Sequence, residues 1–246
     1  MTNGSWIALS ALCGLLATSA AQAELITIDA DAYAPGTDVS NAFDGVSLAH
    51  LTFTSAGLQS TSVYAAGCAN VSNPSSICSA IGPASFGYQT STGAINSYWY
   101  STASPIINCL NQNYSYCYNG TPQHLLEVSF DAATGFVQFE STFGSDDPWV
   151  WALDAAGNVL SLTPQRTIHQ NSGPGGGPFG YQTVTLASTA ANISRVIIAG
   201  NGGYVTVDGI TYDGITTATA SVPEPETLGL LLAGLVGIVV TTRRRR

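Results

Sequence analysis

The sequence predicts an all-β protein: a single β-sandwich of jelly-roll type, with a hydrophobic segment at each end of the chain. Three observations predict it. Apolar residues alternate with polar ones over short runs, as on strands with one buried face. Clusters of Gly, Pro, Asn and Asp separate those runs at the spacing of hairpin loops. No internal window of ten or more residues carries the 3.6-residue period of an amphipathic helix.

Taken in order, the chain of 246 residues opens on an apolar core from Trp6 to Ala17, followed by Ala21-Gln22-Ala23. Small residues there suit cleavage before Glu24, so 1–23 reads as a signal peptide removed by signal peptidase. Residues 24–219 form the ectodomain, about 196 residues and long enough for one sizeable core. Strands are expected at 25–28, 46–54, 95–100, 181–186, 193–199 and 204–210. Four more, at 126–130, 137–143, 149–153 and 159–162, are expected to form a meander. Its turns would be Asp131-Ala132-Ala133-Thr134-Gly135 and Asp154-Ala155-Ala156-Gly157-Asn158. Asn201-Gly202-Gly203 would turn the last strand pair. The Gly-rich run at 171–178 reads as a surface loop, because strand-like sequence resumes on both sides. Phe86-Gly87-Tyr88-Gln89-Thr90 recurs as Phe179-Gly180-Tyr181-Gln182-Thr183 with unmatched flanks, and reads as reuse of a short segment rather than a duplication.

Charge narrows the partners. The chain has no lysine, and the ectodomain sets Arg166 and Arg195 against 13 Asp and Glu, a formal charge of −11. Such a surface repels phosphate, which argues against nucleic acid and leaves neutral glycans and divalent cations admissible. Cys13 leaves with the leader. The other four fall as two close pairs, Cys68 with Cys78 and Cys109 with Cys117, which suggests two local disulfides in an oxidising compartment. Four cysteines allow three connectivities; short loops containing turn residues favour the sequential one.

At the C-terminus, Val222-Pro223-Glu224-Pro225-Glu226 precedes an apolar run from Leu228 to Val240 and four arginines, Arg243, Arg244, Arg245 and Arg246. The run from Thr227 to Thr242 would make roughly 24 Å of helix, shorter than a typical hydrocarbon core, which suits a removable sorting helix better than a permanent anchor. The arginines would hold the extreme C-terminus on the cytoplasmic side and the β domain outside. Residues 220–246 resemble the PEP-CTERM sorting segment of exported bacterial proteins, which some collections label an ice-binding protein C-terminal domain without implying ice binding. The resemblance implies processing by an exosortase-like membrane enzyme. It also implies a Gram-negative envelope or extracellular matrix as destination, and association with exopolysaccharide production. A second resemblance, carried by Ile26-Thr27-Ile28-Asp29, Gly36-Thr37 and Phe43-Asp44-Gly45-Val46, is to the opening strands of exported lectin-like β-sandwich domains and implies fold only.

Catalytic signatures are absent from the sequence: it has no GxSxG elbow, no HExxH and no unpaired cysteine outside the leader. His50, His124 and His169 stand far apart and read as ordinary loop or strand-edge histidines. The protein is therefore expected not to be an enzyme and to need no cofactor, apart from a candidate structural calcium ion on Asp29, Asp31, Asp146, Asp147 and Asp208. For ligand binding, Tyr114, Tyr116 and Tyr118 alternate onto one face of an extended segment, with Trp99 nearby in sequence, and such rings can stack on sugars. Trp149 and Trp151 share a face and are expected to be buried in the core. The function expected is that of an envelope-sorted glycan- or matrix-binding protein. A carbohydrate-active hydrolase and a purely structural matrix component are the alternatives.

Overall fold

The computed structural model describes residues 24–54, 57–67, 82–99, 123–143, 148–169, 180–200 and 205–214. The described residues form thirteen strands: Glu24–Ile28 (β1), Val46–Thr54 (β2), Gly57–Thr61 (β3), Val63–Gly67 (β4), Ala84–Gln89 (β5), Ile95–Asn96 (β6) and Gln123–Thr134 (β7) come first. Phe136–Phe143 (β8), Trp149–Leu153 (β9), Gln165–His169 (β10), Gly180–Ala187 (β11), Ile193–Ala199 (β12) and Val205–Gly214 (β13) follow, and the described residues hold no α-helix. They form two antiparallel sheets. One runs β10-β11-β8-β13-β5-β4, with β1 on β13 and β6 on β5; the other runs β3-β2-β7-β12-β9. The fold is the expected all-β sandwich.

Period-two alternation builds the core between the sheets. Leu126, Val128 and Phe130 of β7 and Val196 and Ile198 of β12 face Phe86 of β5, Val137 and Phe139 of β8, Val184 and Leu186 of β11, and Val205 and Val207 of β13, all buried. Each such side chain contributes on the order of 1.5–3 kcal/mol by leaving water. The outer face of the five-stranded sheet carries a second buried cluster, in which Leu51, Phe53, Leu125 and Ile197 are prominent.

The expected meander does not form. β7 runs on through the anticipated turn to Thr134, and after Gly135 the chain enters the other sheet as β8. Asp213 ties this corner, its Oδ1 accepting the N–H groups of Gly135 and Phe136, both at 2.8 Å. Consecutive amphipathic strands on opposite sheets turn their apolar faces towards each other, which a meander within one sheet would not do. For the same reason β12 and β13 lie in different sheets and are not a hairpin. Residues 159–162 make a single bridge, Val159 to Leu153, instead of a strand. The Asp154 loop is the turn expected: Asp154 Oδ1 accepts from Ala156 and Asn158 N–H at 2.9 and 2.8 Å, and Gly157 takes φ +84°. The Gly-rich run at 171–178 lies outside the described residues; β10 and β11, on either side of it in sequence, pair with each other. Within the repeated pentapeptide Tyr88 is buried, whereas Tyr181 is half-buried and stacks on His169 at 4.7 Å; the copies play different structural parts.

Candidate functional site

β9 is an edge strand of the five-stranded sheet and β10 an edge strand of the eight-stranded one. Val150 and Ala152 of β9 turn inward to the core, which sends Trp149 and Trp151 to the opposite face, where they pack over the second cluster. An edge strand has a neighbour on one side only, β12 here, so neither indole is fully covered and both stay half-buried. This corrects the expectation of complete burial. Their rings meet edge to face, 5.8 Å apart at 82°.

Beside them lies an open groove of about 490 Å³ lined by Pro148, Trp149, Val150, Trp151, Pro164 and Arg166. Arg166 of β10 reaches across to donate to the Pro148 carbonyl at 2.7 Å and to Gln182 Oε1 at 3.3 Å. One cation therefore ties the two edges and fixes the wall of the groove. Its size falls within the range of small-molecule sites, about 300–1,000 Å³, and its lining of apolar and aromatic surface with one convergent polar group is the usual composition of such sites.

A second constellation joins three of the five aspartates expected to hold calcium. Asp29 caps a 3-10 turn at Ala30–Ala32 that contains Asp31, its Oδ1 accepting the N–H of Asp31 at 2.8 Å. Asp31 Oδ1 accepts the N–H of Ala84 at the start of β5, at 2.7 Å. Asp208 projects from β13 just before a bulge at Gly209, whose N–H it accepts at 2.9 Å. One carboxylate oxygen from each of the three lies within 4.8 Å of the others. Glu140 is the cross-strand partner of Asp208.

Burial pushes the Asp208 carboxyl up to about 9, helped by the charges of Asp29, Asp31 and Glu140 and opposed by the Gly209 N–H. Burial also raises Asp31 and Glu140, with Asp29 adding to both. An all-oxygen donor set suits a hard cation such as calcium; without one, the cluster lowers its repulsion by keeping a proton on Asp208. Asp146 and Asp147 lie outside the described residues.

Trp99 does not offer a stacking face. It is 0% exposed, its indole N–H donates to the Phe86 carbonyl at 3.1 Å, and its rim packs on Tyr88. Its backbone pairs with Val205, which draws the ring between the sheets. Tyr114, Tyr116 and Tyr118 and the four cysteines Cys68, Cys78, Cys109 and Cys117 lie outside the described residues. Two histidines treated as unrelated meet: His50 Nε2 is 2.9 Å from His124 Nδ1, because β2 pairs with β7. Alternation on each strand places both on the inner face with Leu48 and Leu126; the strand pairing, which sequence does not carry, brings them together.

Residues 221–246 match the family model of the PEP-CTERM protein-sorting motif. The chain carries a PEP-CTERM sorting signal. PEP-CTERM segments are processed by exosortase, so this chain is exported and sorted through its C-terminus at a membrane. The matched residues include Pro223-Glu224-Pro225, the apolar run and the four arginines. No curated protein and no solved structure matches the chain.

Proposed function

We propose that this PEP-CTERM protein is a non-catalytic component of the envelope or extracellular matrix of a Gram-negative bacterium, and that it binds extracellular polysaccharide. The observation that carries this reading is the Trp149–Trp151 groove. Indole faces stack on the C–H faces of sugar rings, and rigid aromatic side chains in a pre-formed groove lose little conformational entropy on binding. The ectodomain charge of −11 favours a neutral glycan over a phosphorylated one. Asp208, 2% exposed, offers no accessible carboxyl opposite Glu140, which supports binding over hydrolysis.

The full chain is expected to be slowed on electrophoresis through gels containing the polysaccharide of its own producer. Trp149→Ala with Trp151→Ala is expected to weaken retention at least tenfold, since two central aromatic contacts are worth about 2 kcal/mol or more. Unchanged retention in the double variant contradicts the reading, and release of reducing sugar that is lost on changing one carboxylate establishes the hydrolase instead. Deleting Pro223 to Pro225 is expected to leave the precursor at its unprocessed mass in the membrane fraction; a mature mass identical to wild type contradicts exosortase sorting.

A further inference from the structure

His50 of β2 and His124 of β7 point from the five-stranded sheet toward the other, with ring centroids 5.1 Å apart. Tyr88 of β5 lies nearly flat against both, 4.4 Å from His50 and 4.3 Å from His124, and Trp99 stands 5.6 Å from His50 at 62°. These four rings pack together between the sheets at this end of the sandwich. The polar groups on His50 are neutral: Thr61 Oγ1 of β3 lies 2.8 Å from Nδ1, and Thr52 Oγ1 of β2 lies 2.9 Å from Nε2.

Proton counting on the 2.9 Å contact decides what the pair tolerates. With one proton between them, one nitrogen donates and the other accepts. With both rings protonated, two N–H groups and two positive charges face each other at that distance. The geometry points to an acid-operated latch: protonation of both imidazoles drives His50 and His124 apart and releases β2 and β7 from Tyr88 and Trp99 at this end of the sandwich.

Among the described residues, the groups facing the pair include Thr52 from β2, Thr61 from β3, Tyr88 from β5, Trp99, and each histidine against the other. None of these side chains is a carboxylate that would compensate a second proton, and the charge that bears on His50 is that of His124. Burial, with that neighbour, holds His50 down to about 3, and burial holds His124 down to about 4. Unfolded histidine titrates near 6.5, so the unfolded chain binds more protons in the interval below it. Stability from the pair is complete above about pH 6.5 and is lost as pH falls toward 3.

Near-ultraviolet and far-ultraviolet circular dichroism of the full chain from pH 7 to 3.5 tests the latch, beside His124→Gln. In wild type the aromatic signal is expected to decay while strand content persists, with a melting temperature that falls about 10 °C further than in the variant. Equal acid responses in the two proteins overturn the latch. Should the variant fail to fold, histidine ring resonances of wild type decide: two rings titrating below pH 5 support it, and both titrating near 6.5 overturn it.

Discussion

Trp99→Ala is expected to cost about 3–5 kcal/mol of folding free energy, the range for truncating a fully buried large aromatic side chain. The ring is 0% exposed and packs on Tyr88 at 5.3 Å and His50 at 5.6 Å, so little of the resulting space can collapse without disturbing the stack between the sheets. The Phe86 carbonyl also loses the indole N–H, and leaving a buried acceptor unpaired costs about 1–3 kcal/mol. Trp99→Phe separates the terms, since it keeps most of the volume and removes the donor; a loss of about 1–2 kcal/mol is expected. Urea unfolding of both variants measures this. A Trp99→Ala loss below about 1 kcal/mol would mean that the residue is not in the core. Domains typically hold about 5–15 kcal/mol in total, so the larger loss is a substantial fraction of the whole.

Asp208→Asn is expected to act in the opposite direction. Folding holds the Asp208 carboxyl protonated up to about 9, whereas an unfolded aspartate titrates near 3.9. Above 3.9 the folded state binds the extra proton, so the penalty on folding grows with pH until the folded group itself ionises. Asparagine presents a neutral side chain of the same shape at every pH and removes that penalty. A gain of at most about 4 kcal/mol at pH 7 and about 6 kcal/mol at pH 8, shrinking toward zero near pH 4, follows from about 1.4 kcal/mol per pH unit above 3.9. Unfolding midpoints in urea with chelator, measured at pH 4.5 and 8, check the sign. A variant less stable than wild type at pH 8 would show that the buried carboxylate is compensated. Repeating the pH 8 measurement with calcium separates repulsion relieved by a proton from repulsion relieved by a cation.

The alternating pattern made the strands legible. Leu126, Val128 and Phe130, then Val137 and Phe139, mark their buried faces in sequence, and the sandwich follows from having many such one-faced strands. Which strands pair was not legible. A strand leaving Thr134 can fold back on its predecessor or cross to the opposite sheet with the same local pattern, and the corner is decided by Asp213, almost 80 residues away in sequence. The site follows the same division. Trp149 and Trp151 were correctly placed on one face, but their partial exposure depends on β9 being an edge strand, which is a property of the whole sheet. Trp99 was misread because a two-residue strand and an isolated bridge to Val205 leave no periodic trace. The convergence of Asp29, Asp31 and Asp208 needs β1, the turn after it and β13 side by side, an arrangement recorded only in tertiary contacts. The sorting segment was fully legible, because a membrane enzyme reads it as local sequence before any fold is needed.

Fractionating cells that produce wild type or the Trp149→Ala, Trp151→Ala variant, and following the mature polypeptide by mass, brings export, sorting and binding into a single measurement. Both proteins are expected at the same processed mass, with wild type retained in the extracellular polysaccharide layer and the variant shed into the medium. Equal retention of the two, with processing intact, would contradict a polysaccharide-binding role for the groove.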